Sequence, residues 1–125
     1  MKAFVTGVGG QLGYDVVNEL KKHGYTAIGS DILDETAAEC EYIKLDITDA
    51  KAVEKTISDV MPDIVIHCAA WTAVDAAEDE ENRENVDKIN HLGTKYIAEA
   101  AKLIDSKMLY LSTDYVFDGK GERPW

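Results

Sequence analysis

Residues 2–13 read Lys-Ala-Phe-Val-Thr-Gly-Val-Gly-Gly-Gln-Leu-Gly. A short apolar run, begun by Phe4 and Val5, breaks into glycines at 7, 9, 10 and 13, and an amphipathic helix starts near Gln11. Strand, glycine turn and helix in that order make a phosphate-binding turn. A phosphate can sit on a helix N-terminus only where no Cβ blocks the backbone; the free N–H groups and the helix dipole then favour its negative charge. On this reading Gly7 allows the tight turn, Gly10 lets the phosphate approach, and Gly13 lets the helix pack on the strand. Gln11 and Leu12 open the helix beside it. The competing reading is an ordinary strand-to-helix turn with no ligand.

A chain of 125 residues has room for one domain with a modest core. The net charge of −11, from 24 acids against 13 bases, argues against nucleic acid, whose backbone calls for clustered Lys and Arg. Any phosphate must be held locally, against the overall field. No apolar run has the length of a membrane span, and the N-terminus lacks the apolar region of a signal peptide. The two cysteines, Cys40 and Cys68, make no disulfide framework and read as cytosolic thiols. His23, His67 and His91 are scattered, so no metal site is expected. The expected location is cytoplasmic.

Helix A is predicted over 11–23, with Leu12, Val16, Val17 and Leu20 on one face and Gly24 as its stop. The second strand, from Tyr25, ends at Asp31, 18 residues after Gly13. A carboxylate there can accept hydrogen bonds from ribose hydroxyls and would repel a 2′-phosphate. No Lys or Arg occurs between Lys22 and Lys44 to offset it. The competing reading of Asp31 is a solvated acid in the exposed acidic loop 32–40.

Strand three covers 41–46. Helix B follows, capped by Thr48 or Asp49, with Val53, Ile57 and Val60 inward and Pro62 at its end. Asp46 can touch a base from the rim of the site or simply make the strand-end turn. Strand four covers 63–68, and its run Ile64-Val65-Ile66 suits a parallel strand covered on both faces. It leads into Ala69 and Ala70, small enough to let a ligand cross or simply core residues. His67 reads as structural. The acidic run 75–83 reads as a short helix or loop, with Glu78 to Glu81 a solvated face, and a long helix is expected over 85–103. Asn90, on its inner side, is either a buried structural amide or part of a water path. Strand five, 108–111, delivers Ser112 and Thr113 to the sheet's carboxyl end, and the rest reads as loop.

The alternation indicates an α/β fold: a Rossmann-like, doubly wound parallel sheet of strand order 3-2-1-4-5, truncated after the fifth strand. The crevice should lie between strands one and four. The first turn, Ala69-Ala70 and Ser112-Thr113 should line it.

Four stretches together resemble the extended short-chain dehydrogenase/reductases, and within them the dTDP-4-dehydrorhamnose reductase branch. These are Thr6 to Gly13, Asp46-Ile47-Thr48, His67 to Asp75, and Ser112-Thr113-Asp114-Tyr115-Val116-Phe117-Asp118-Gly119. The last two are far more specific than the glycine turn. The resemblance implies hydride transfer from NADH, with NADPH as an alternative, to the 4-keto carbon of a nucleotide-linked deoxysugar. It implies cofactor contacts by Gly7, Gly10, Gln11, Leu12, Asp31, Asp46, Ile47, Cys68, Ala69, Ala70, Thr72 and Ser112. It places substrate at Val74 and Asp75 and has Thr113 steady the keto oxygen as a catalytic residue. The implied partners are the nucleotide sugar and a second copy of the chain, with no nucleic acid or membrane.

One departure is decisive. The family uses a Tyr-x-x-x-Lys pair, in which the lysine's charge makes the phenol a better acid. None of the six tyrosines (14, 25, 42, 96, 110 and 115) has a lysine four residues on. Residues 1–125 therefore read as an incomplete dinucleotide-binding domain without its substrate domain, inactive alone. The alternatives are a non-catalytic nucleotide-binding regulator of the same fold, or half of a sugar-nucleotide epimerase or dehydratase. A sheet stopped after strand five should expose an edge and apolar surface, favouring self-association or marginal stability.

Overall fold

The computed structural model describes residues 1–113 and 116–120. Five strands, β1 (Lys2–Thr6), β2 (Thr26–Asp31), β3 (Glu41–Lys44), β4 (Ile64–His67) and β5 (Lys107–Tyr110), form one sheet. Its order is β3-β2-β1-β4-β5, with every neighbouring pair parallel, as the alternation of elements predicts. Helix α1 (Gln11–Lys22) joins β1 to β2, and α2 (Ala50–Val60) joins β3 to β4. Between β4 and β5 come α3 (Val74–Ala77), α4 (Arg83–Val86), a π-helical segment (Asp87–Gly93) and α5 (Thr94–Leu103).

The two faces of the sheet are unequally covered. Phe4 pairs in register with Ile28 and Val65. This row packs under α2 and α5 with Val53, Ile57 and Ile97. Phe4, Val53, Ile57, Val65 and Ile97 are fully buried, each stabilising the fold by about 1.5–3 kcal/mol. The opposite row runs Val5, Ile66, Leu109. Among the described residues α1 is the one helix packed there, chiefly through Val17 against Val5 and Val8, with Ala38 of the loop 32–40 beside it. Cover therefore fades along the row, from buried Val5 through half-buried Ile66 to Leu109 at 48% exposure. The expectation that Ile64-Val65-Ile66 is covered on both faces holds on the face of Val65 and is only half met on that of Ile64 and Ile66, because one helix cannot roof five strands. Leu12, expected on the inner face of α1, is likewise 44% exposed.

Local signals set the boundaries. The Asp49 carboxylate accepts the N–H groups of Lys51 (3.0 Å) and Ala52 (3.1 Å), capping α2. Met61 closes that helix in the left-handed region, just before Pro62. The single helix expected over 85–103 begins two residues earlier and carries the π-helical turn through Asn90, His91 and Gly93, the residues that interrupt its apolar face. Among the described residues no helix is long and apolar enough to cross a membrane.

Candidate functional site

The glycine turn sits where strand order reverses, between β1 and its neighbours β2 and β4. Gly7 has a φ of +74°, and a Cβ there would come within 2.6 Å of the Ala69 nitrogen. A Cβ on Gly13 would lie 2.3 Å from the Gly7 carbonyl oxygen, so only glycine lets α1 approach β1. Gly10 differs: its φ is −89°, and the nearest atom to an added Cβ is the Gly7 oxygen at 3.4 Å, an ordinary contact. Among the described residues no contact or dihedral demands glycine at 10, yet Gly10 lines the cleft above the turn. Gly10 is also the N-cap of α1 and supplies no side chain to its first-turn N–H groups.

The Asp31 carboxylate reaches back to this turn. One oxygen accepts the Gly9 N–H at 2.9 Å, and the other accepts those of Ile32 (2.8 Å) and Leu33 (3.4 Å). It thus ties β2 to the turn while remaining on the cleft wall. The acidic loop behind it is strapped down. The Tyr42 hydroxyl lies 2.6 Å from the Leu33 oxygen, the Thr36 hydroxyl donates to the Val8 oxygen, and Lys44 pairs with Asp34. Asp46 makes the strand-end turn by accepting the Thr48 N–H and hydroxyl (2.9 and 2.8 Å), and it also lines the cleft.

The second wall is the end of β4. His67 is buried, with Nδ1 2.7 Å from the Thr6 hydroxyl and Nε2 3.0 Å from that of Thr94. The Ala69 N–H donates to the same Thr6 oxygen at 3.2 Å. The assignment that satisfies all these groups has Thr6 donating to Nδ1 and the His67 proton on Nε2, donated to Thr94. Burial holds this ring neutral, with its pKa pushed down to about 4. Beyond it, Asn90 clamps the backbone of Trp71. Its Oδ1 accepts the Trp71 N–H at 2.7 Å, and its Nδ2 donates to the Trp71 oxygen at 3.2 Å. Asn90 therefore takes the structural role of its two readings. Burial raises the Cys68 thiol pKa, leaving a neutral group at this wall.

Between the walls lies a cleft of about 720 Å³. Gly7, Gly10, Gln11, Leu12, Asp31, Asp46 and Ile47 line it on one side, and Cys68, Ala69, Ala70 and Thr72 on the other. Ser112, Thr113, Val74 and Asp75 are not part of its lining. They are exposed; the first two follow β5, two strands from β1, and the others begin α3. Asp114 and Tyr115 of the fourth motif lie outside the described residues. Sequence reasoning missed Ser30, Asn85, Lys88 and Ile89, which also line the cleft. The Ser30 hydroxyl is buried and finds no partner among the described residues. The last three descend from the helical stretch after α3, whose π-helical part no regular periodicity reveals. Among the described residues no three His, Cys, Asp or Glu are grouped to hold a metal ion.

The model of the family described as RmlD substrate binding domain matches residues 1–125. The chain belongs to this family. A dTDP-4-dehydrorhamnose reductase of Streptomyces griseus is 38% identical to this RmlD-family chain over 123 residues, 97% of the chain and 36% of that protein. The crystal structure of a dTDP-4-dehydrorhamnose reductase from Clostridium acetobutylicum superposes with a TM-score of 0.82 at 39% identity, covering 100% of this chain and 40% of that one. The Bacillus anthracis enzyme of the same name, in complex with NADP, superposes at 0.79 with 36% identity, covering 94% of this chain and 38% of that one. The chain thus spans between 36% and 40% of the length of these relatives.

Proposed function

We propose that residues 1–125 form the dinucleotide-binding part of an NAD(P)H-dependent reductase acting on a nucleotide-linked 4-keto-deoxysugar, with dTDP-4-dehydrorhamnose as the substrate. The observation that carries this reading is Gly10. Among the described residues no contact or dihedral requires glycine there, and it is set at a helix N-terminus that no side chain caps, on a cleft wall. A pyrophosphate fits that cradle, and an added Cβ would fill it. The unmet Ser30 hydroxyl beneath the turn gives further support.

When bound, the reduced nicotinamide supplies a hydride. The chain's own residues bind and orient. The N–H groups of Gln11 and Leu12, at the start of α1 on the cleft wall, would hold the pyrophosphate. Asp31 keeps acceptor capacity for ribose hydroxyls, since an ionised carboxylate has about four lone-pair sites and three N–H groups use it here. Its charge favours NADH over NADPH. Asp46 and Ile47 wall the base, while Cys68, Ala69, Ala70 and Thr72 leave the opposite side open. Ser112 completes the cofactor contacts, Val74 and Asp75 meet the sugar nucleotide, and Thr113 donates to the keto oxygen. The Tyr-x-x-x-Lys proton donor is absent from these residues, so turnover by the 125-residue chain is not expected. Free thiols at Cys40 and Cys68 suit a reducing compartment and support a cytoplasmic location.

The test is a titration with NADH and with NADPH, followed by tryptophan fluorescence, on wild type and Asp31→Asn. Asparagine keeps an acceptor for the Gly9 N–H and removes the charge. NADH should bind the wild type more tightly than NADPH, and the variant should narrow that gap. A folded chain that binds neither cofactor contradicts the reading.

A further inference from the structure

The cleft that would take a dinucleotide is lined by three acids, Asp15, Asp31 and Asp46, and by one base, Lys88, among the described residues. Such a wall repels phosphate unless a cation answers it, and the chain's net charge of −11 adds to the repulsion. Lys88 belongs to the π-helical segment. That segment is pinned on both sides. Asn90 holds the Trp71 backbone, and Gly93 packs so closely on Ile47 that an added Cβ would lie 2.8 Å from its side chain. These anchors set Ile89 against the core and leave Lys88 on the cleft wall. The Lys88 ammonium rests 2.6 Å from Glu84, one helical turn back, and this bond holds the Glu84 carboxyl below the usual carboxylate range. The lysine side chain is 48% exposed and the glutamate 80%, so water screens the pair and little is lost in breaking it.

We infer that Lys88 is the cationic contact for the phosphates of the bound dinucleotide, exchanging its ion pair with Glu84 for one with the ligand. The inference rests on the dinucleotide reading of the cleft. A phosphate held between backbone amides and the cleft wall is less hydrated than the exposed Glu84 carboxylate, so the exchange runs toward the ligand. The acids along the wall gain a counter-charge without a permanently fixed cation.

Dissociation constants for NADH and NADPH, measured by calorimetry at low and high salt on wild type, Lys88→Gln and Glu84→Gln, test this. Lys88→Gln should weaken binding roughly fivefold, the upper end for a solvent-exposed ion pair. It should also flatten the salt dependence, which a merely structural effect would leave unchanged. Glu84→Gln, which frees the lysine, should tighten binding. An equal loss for both cofactors in Lys88→Gln identifies the pyrophosphate as the contact, and a loss confined to NADPH identifies the 2′-phosphate. A wild type that binds while Lys88→Gln matches it in affinity and salt slope overturns the assignment and leaves the cleft reading standing. Glu84→Gln without tightening overturns the exchange. A wild type that binds neither cofactor overturns the cleft reading, and this inference with it.

Discussion

The two walls of the cleft are built by different means. The wall made by β1, its turn and α1 is held by absent side chains: Gly7 and Gly13 permit backbone contacts that any Cβ would break. The wall at the end of β4 is held by side chains that reach from elsewhere. Thr6 meets His67 across 61 residues, Thr94 meets it across 27, and Asn90 reaches Trp71 across 19. The first wall is therefore stiff where backbone meets backbone, with Asp31 tying its turn through the Gly9 N–H, and fails by steric overlap. The second is assembled only when the sheet and the π-helical segment are both in place, and fails by leaving polar groups without partners.

The sharpest way to break the comparison is at the first wall. Gly13→Val would force the α1 backbone away from the Gly7 carbonyl, 2.3 Å from the added carbon. Backbone atoms cannot give way cheaply, so a loss of about 3 kcal/mol or more in urea unfolding is expected. At the second wall, His67→Ala should cost about 2–4 kcal/mol, from the cavity and from one buried and one half-buried hydroxyl left without the ring. A value near zero would mean that the network carries no stability.

His67 also makes the second wall sensitive to acid. Its folded pKa of about 4 lies below the ordinary value of 6.5. Above pH 6.5 both folded and unfolded states are neutral and stability does not depend on this group. As pH falls from 6.5 toward 4 the unfolded chain takes up the proton first, so stability falls, by about 3 kcal/mol at the limit. Unfolding of wild type and His67→Gln across that range should show a steeper decline in the wild type; parallel curves would contradict the buried neutral ring. The smaller effect is expected from Asn90→Ala. It frees two half-buried backbone groups of Trp71 and should cost about 1–2 kcal/mol. A red-shifted Trp71 emission should accompany the loss.

The same contrast explains what could be read from the sequence. The glycine turn, the Asp31 strand end and the order of the five strands follow from residues close together in the chain and from the handedness of crossovers. That Asp31 also ties down the turn through the Gly9 N–H was not legible, because loop 32–40 has no pattern that says how it folds back. Asn90 stood out as a polar residue on an apolar helix face, but its partner was hidden. The π-helical turn that brings it to Trp71 breaks the periodicity used to read helices. Lys88 was missed for the same reason. The half-open α1 face was partly foreseeable. One helix after β1 cannot cover β5, and Leu109 and Leu111 are exposed in consequence.

The central claim is that Gly10 is a glycine for a ligand's sake. The direct measurement is NADH affinity and thermal unfolding of Gly10→Ala beside the wild type. Because φ at Gly10 is −89° and the added carbon meets only an ordinary contact at 3.4 Å, the entropy gained in the unfolded chain offsets the poorer N-cap that alanine makes, and the unfolding midpoint should change little. Affinity for NADH should fall roughly tenfold or more, as the methyl group occupies the phosphate's place. A Gly10→Ala chain that binds NADH as tightly as the wild type would show that the turn is only a turn.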